Sequence, residues 1–177
     1  MGQYYRPVLS RSQDRDGFAG GVFASMTSWD HGEGAKLLEH SYVGNVLPET
    51  VVGVLADGPA RVVWAGDYAD PEPGGDVLLY SVGGTARSLP ADPRPHRFLV
   101  DLDRGEYIDM ERVADVDGEP GWKIHPLPLL TSEGNGRGGG DFRGDSPFLG
   151  RWARDLLAAT DTRPAGLAEV VPGFVEV

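Results

Sequence analysis

The sequence predicts an α+β fold, mainly an antiparallel β-sheet with a short helix pair near residues 35–57. Three observations carry this expectation. Glycine and proline number 26 and 14 in 177 residues, about twice the usual share, so elements are short and turns frequent. After residue 60, branched and aromatic residues fall into short runs separated by turn clusters, the pattern of strands. Helical spacing is clearest between Ala35 and Asp57. The length suits one domain, residues 1–177, able to bury its own core.

Each element has its own signal. Gln3 to Leu9 is aromatic and branched and opens the sheet, with Pro7 arguing for an edge position. Phe18 to Met26 is apolar, and Gly20-Gly21 marks a bend. In 35–42, Leu38 and Tyr42 lie four apart on one helical face, and Gly44-Asn45 reads as the end of that helix. In 47–57, Pro48 and Glu49 occupy a first turn, Val51, Val52 and Leu55 form an apolar face, and Asp57-Gly58-Pro59 stops the helix. Arg61 to Gly66 and Asp76 to Gly84 read as strands. Residues 96–113 read as a hairpin, Phe98-Leu99-Val100 against Tyr107-Ile108, with Gly105 at the left-handed position of its turn. Trp122 to Leu130 is strand-like, though Pro126 and Pro128 forbid a central place. Residues 149–160 are compatible with helix or strand. Trp64-Ala65-Gly66-Asp67 and Trp152-Ala153-Arg154-Asp155 share a Trp-Ala-x-Asp pattern, and a structural echo would place the second at a strand edge.

The net charge of −11 and pI of about 4.7 set the electrostatic frame. Such a surface repels the phosphate backbone, which argues against nucleic acid, and favours basic partners. There is no cysteine, no run of about 20 apolar residues, and no apolar core of a signal peptide in MGQYYRPVLS. A soluble, cytoplasmic protein without membrane association is therefore expected.

The most unusual stretch is LTSEGNGRGGGDFRGD, 130–145. Gly134 to Gly139 matches G-x-G-x-x-G in letters, but Asp141, Asp145 and Pro147 follow where a dinucleotide fingerprint opens a helix. No Gly-Lys-Ser/Thr follows either, so it is not a P-loop. What remains is physical. Alternating glycine backbone can turn N–H groups inward as an anion nest, and arginines beside it can add bidentate forks. Gly134, Asn135, Gly136, Arg137, Gly138 and Arg143 are the candidate anion-binding residues. The competing account is a surface loop whose arginines pair with its own aspartates.

Asp67, Asp70, Glu72 and Asp76 lie in a stretch without lysine or arginine. Asp67 and Asp70 are the metal candidates, since clustered carboxylates suit Mg²⁺ or Ca²⁺, although the spacing is not that of an EF-hand. Asp115-Val116-Asp117-Gly118-Glu119 fails the same test. None of His31, His40, His96 and His125 has zinc-type spacing to another. His40, beside Glu39 and Ser41, is the acid/base candidate, with a capping or core histidine as the alternative.

The opening MGQYYRPV, then KLLEHSY, GDYAD, LLTSEGNGRGGGD and WARD, together resemble an uncharacterised family of actinobacterial and phage proteins. The resemblance spans most of the chain and implies a phage or mobile-element setting, with no cofactor or catalytic residue attached. Two functions follow as expectations. The first is an accessory or binding protein that recognises a protein partner or a small anion through the glycine-rich loop 134–141. The alternative is an enzyme on a nucleotide or other phosphate-bearing substrate. There Arg137 and Arg143 would clamp the anion, Asp67 and Asp70 would hold a metal, and His40 would move the proton.

Overall fold

Every residue of Ala60–Gly66 (β3) is buried, which requires cover on both faces of the sheet. The computed structural model describes residues 2–116, 119–135 and 146–173. Around β3 it assembles a mixed sheet of nine strands. Tyr5–Ser10 (β1) pairs antiparallel with β3, and Val22–Ser25 (β2) pairs antiparallel with β1. Phe98–Asp101 (β5) and Glu106–Asp109 (β6) form the expected hairpin, with Gly105 at φ 68° in its turn. Leu156–Thr160 (β8) joins the hairpin to β3, antiparallel to both. The parallel pairings all involve two-residue strands: Arg87–Ser88 (β4) on β2, Ser132–Glu133 (β7) on β3, and Ala168–Glu169 (β9) on β6. The long pairings are antiparallel, so the predicted fold class holds.

Strand alternation sends neighbouring residues to opposite faces. Leu9, Val62 and Trp64 enter the large core with Val51, Val52 and Leu55 of the helix Val46–Asp57 (α1). Val8, Val63 and Ala65 point the other way, onto Phe18 and onto Leu79 of the helix Leu79–Thr85 (α2). Each fully buried aliphatic side chain stabilises the fold by about 1.5–3 kcal/mol, so two helices on two faces account for the wholly buried β3.

Five local expectations need correction. Asn45 does not end a helix; it begins α1, its side chain accepting the Leu47 N–H at 3.0 Å while Glu49 accepts the Gly44 N–H at 3.1 Å. Of the helix expected at 35–42, only a single 3-10 turn, Leu38–His40, forms. Asp76 to Gly84 is not a strand, because α2 lays Leu79 and Gly83 onto the sheet; a Cβ at Gly83 would stand 2.7 Å from Val8. Pro126–Leu130 (α3) is helical, since prolines in a first turn forfeit only N–H groups that lack partners there, and His125 caps it by accepting the Leu127 N–H. Pro7 also stands in an interior strand. It is tolerated because β2 pairs only from Val8 onward, and the Pro7 carbonyl accepts the Ser25 hydroxyl at 2.7 Å. Residues 149–160 resolve into a turn followed by β8. Asp117 and Gly118 lie outside the described residues. Among the described residues no helix is long and apolar enough to cross a membrane.

Candidate functional site

The far edge of β3 is divided. β8 takes Ala60 and Arg61, while β7 takes Trp64 and Ala65. The turn Trp152–Asp155 sits against the gap, with the Arg154 N–H donating to Val62 O at 3.0 Å. A cavity of about 560 Å³ lies beside this division. Tyr5, Leu37, Ser132 and Leu149 contribute to its wall, Asp16, Asp70, Pro71 and Pro73 come from two surface connections, and Glu133, Gly134 and Arg154 complete it. Gly134 begins the glycine-rich stretch, so the cavity lies at its foot. A side chain at Gly134 would require Tyr5 and Gln3 to shift, because a Cβ would overlap Tyr5 Oη and meet Gln3 Oε1 at 2.6 Å.

Arg154 dominates the electrostatics. Its Nε and Nη2 donate to Glu133 at 2.6 and 2.8 Å, its Nη1 donates to Glu72 at 2.9 Å, and Nη2 also reaches the second Glu72 oxygen. The guanidinium stands 5.7 Å from the Phe18 ring centre. Hydrogen bonds to Glu133 first, then those to Glu72, hold its pKa above the ordinary arginine value against the opposing effect of burial. Both fork arms are thus committed to carboxylates of this chain. Its backbone has φ 68°, the one non-glycine residue in the left-handed region among the described residues. Asp16 and Asp70, both exposed at the cavity mouth, make no ion pair or hydrogen bond among the described residues. Asp16, Asp70 and Glu133 thus line the cavity against one cationic side chain, that of Arg154, and the described wall is net negative.

The sequence candidates fall in separate places. Gly134 and Asn135 are described, while Gly136, Arg137, Gly138 and Arg143 lie outside the described residues. Asp70 reaches the cavity mouth; Asp67 instead accepts the Tyr4 N–H at 3.0 Å, closing the end of β1 onto β3. Among the described residues no group of three or more histidines and carboxylates gathers as a metal-binding cluster around them.

His40 is fully buried and stands in the core, away from the cavity wall. The Trp64 indole donates to its Nε2 at 2.7 Å, and an indole can only donate, so Nδ1 carries the proton and donates to Gly34 O at 3.0 Å. Desolvation lowers its pKa, outweighing the Gly34 carbonyl and the nearby Glu39 and Glu33. Both ring nitrogens are occupied, which fits the core-histidine alternative. Arg154 and Glu133 were not picked out as site residues from sequence. The one available signal was an arginine in the x position of the second Trp-Ala-x-Asp stretch. No family model, curated protein or solved structure matches the chain.

Proposed function

We propose that this chain is a non-enzymatic accessory protein that binds a protein partner at the cavity at the foot of the glycine-rich stretch, taking a basic segment of that partner. One observation carries the reading: the wall's described guanidinium is fully engaged by Glu72 and Glu133, while Asp16 and Asp70 at the mouth are without a counter-charge among the described residues. Such a wall attracts ammonium or guanidinium groups and repels phosphate. Leu37, Leu149, Pro71 and Pro73 give an aliphatic stem apolar surface to lie on. The overall charge of −11 speeds encounter with a basic partner. The resemblance to actinobacterial and phage proteins gives the reading its setting. The enzymatic alternative draws less support, since His40 is enclosed by Trp64 and Gly34 and stands apart from Asp70.

Fluorescence anisotropy with a labelled arginine- and lysine-rich peptide tests the proposal. Binding should weaken several-fold in the double variant Asp16→Asn/Asp70→Asn and stay unchanged in Asp115→Asn/Glu119→Gln, which removes equal charge away from the cavity. Equal weakening in both would reduce the effect to net charge and refute the site. A thermal stabilisation by inorganic phosphate, unaffected by the first double variant, would move the reading to the small-anion function of Arg137 and Arg143.

A further inference from the structure

β2 pairs with β1 only from Val8 onward, so the first half of β1 has no strand partner on that side. The chain leaving β2 runs past this step without pairing, turns through the 3-10 helix Ser28–His31, and sets Trp29 edge-on to Tyr4 with ring centres 5.3 Å apart. A cavity of about 110 Å³ lies here. Arg6 lines it from β1, Thr27 and Asp30 from the chain after β2, Ser88 from β4, and Gly83 and Gly84 from α2. Arg6 shares the sheet face of Val8, the face that α2 covers. The two glycines of α2 give it room. A Cβ at Gly83 would stand 3.0 Å from Arg6 Cδ, and one at Gly84 would stand 3.0 Å from Arg6 Nη1. Tyr80, earlier in α2, stacks on the guanidinium, its ring centre 4.1 Å from Arg6 Cζ.

Arg6 is an exception among the arginines of this chain. Apart from the exposed Arg11 and Arg87, every other described arginine is ion-paired with a carboxylate. Arg6 forms no ion pair or hydrogen bond among the described residues, and its Nε is buried without a partner. A buried donor left unpaired is costly in a folded chain. Asp30, lining the same cavity, likewise makes no side-chain hydrogen bond or ion pair among the described residues, and the two do not pair with each other. The Thr27 hydroxyl does not cap the 3-10 helix that follows it. Stacking on Tyr80 fixes the guanidinium plane and leaves its N–H edge for a carboxylate. The cavity thus holds one cation and one carboxylate that do not satisfy each other.

We propose that this cavity binds a small zwitterion, the α-carboxylate and α-ammonium groups of a free amino acid: Arg6 takes the carboxylate and Asp30 the ammonium. Both charged groups of an amino acid are attached to one carbon, so a single small molecule reaches both residues. A phosphate or a simple carboxylate would meet Asp30 as a like charge, and a simple ammonium would meet Arg6 in the same way. A zwitterion meets neither penalty and adds no net charge to a chain that carries −11. The hydroxyls of Thr27 and Ser88 can donate or accept as the ligand requires. A volume of about 110 Å³ is room for the α-groups and a small side chain, since one water occupies about 30 Å³ in the liquid. The site shares no residue with the cavity proposed above for a basic segment, and the two stand independently.

Nuclear magnetic resonance titration of the full chain with glycine tests the site, with acetate and methylammonium as half-ligands. Glycine should shift the Arg6 Nε–H and Asp30 amide signals saturably, and bind at least about tenfold more tightly than either half-ligand. Asp30 is exposed, so Asp30→Asn should fold as wild type does. It should weaken glycine about tenfold and strengthen acetate, an opposition that a general loss of structure cannot produce. Arg6→Gln should abolish binding of both. The Asp16→Asn/Asp70→Asn variant should bind glycine as wild type does. No saturable shift with glycine, L-alanine or L-serine would overturn the proposal. Equal affinity for glycine and acetate, or tighter binding of inorganic phosphate than of glycine, would reduce the cavity to an oxyanion pocket and overturn the zwitterion. Acetate binding unchanged by Asp30→Asn would remove Asp30 from the site and overturn it too.

Discussion

Trp64-Ala65-Gly66-Asp67 and Trp152-Ala153-Arg154-Asp155 begin alike and end in different chemistry. Both tryptophans are fully buried, and both indoles donate a hydrogen bond, to His40 and to Glu106 respectively. The first stretch finishes a central strand in extended backbone; the second is a turn leading into a strand. The third position separates them. At Gly66 a Cβ would meet Gln3 Nε2 at 2.5 Å and the Glu133 carbonyl at 3.0 Å, so any side chain would have to displace them. At Arg154 the backbone turns left-handed, and the side chain is carried into the cavity wall. The fourth position follows: Asp67 is a half-exposed acceptor for a backbone N–H, whereas Asp155 is enclosed among arginines. A four-residue likeness is thus a likeness of anchoring tryptophans, and the environment decides the rest.

Substitutions at matched positions can break this comparison. Asp155→Ala should cost about 3–5 kcal/mol in urea denaturation, because it leaves Arg104 facing a buried half-pair, while Asp67→Asn should stay within about 0.5 kcal/mol. Equal costs would mean that the second aspartate is no more embedded than the first. Gly66→Ala should destabilise by about 1–3 kcal/mol through overpacking against Gln3 and Glu133, and a neutral result would show that this edge of β3 yields. Trp64→Phe and Trp152→Phe remove the same volume, so their difference reports the indole partner. Trp64→Phe should be worse by about 1–2 kcal/mol, since it strands His40 Nε2 in the core, whereas Glu106 keeps its Arg151 fork.

The shallowest effect is on the pH profile. Burial lowers His125 to about 3, below the ordinary 6.5, and lowers His40 as well. A depressed folded value gives stability that is full above the unfolded value and lost as pH falls toward the folded one. Burial raises Glu49 and Asp101, which act oppositely and favour the acid side of their range. Thermal melting from pH 4 to 8 should therefore show a broad maximum. Asp101→Asn should remove the loss between about 3.8 and 7, flattening the alkaline limb and steepening the acid limb, which belongs to the histidines. A single monotonic rise in wild type would remove Asp101 from the account.

Legibility from the sequence followed how local each determinant is. The 98–109 hairpin was readable because Gly105 fixes its turn and the strands alternate beside it. The α1 helix was readable from Pro48, Glu49 and the Asp57-Gly58-Pro59 stop. Its cap was assigned to the preceding segment, because an asparagine between two helical patterns can end one or begin the other, and the Leu47 N–H settles which. The α2 helix was hidden by branched residues and two glycines whose value lies in contact with β1, a distant segment. The candidate site was legible only in part. Asp70 and Gly134 were singled out, but the arginine that shapes the wall draws its partners from residues 72 and 133, and no periodicity reports such pairings.

The ends of the sheet have a consequence for how the molecule behaves in a crowded solution. β4 covers β2 and β9 covers β6, each with only two residues in register. An open strand edge invites a second chain to add its own backbone, the first step toward amyloid-like stacking. Here that invitation ends at strands too short to template another. Among the described residues, each outermost strand thus offers a second copy only two residues of backbone, a length that disfavours growth of the sheet from one molecule to the next.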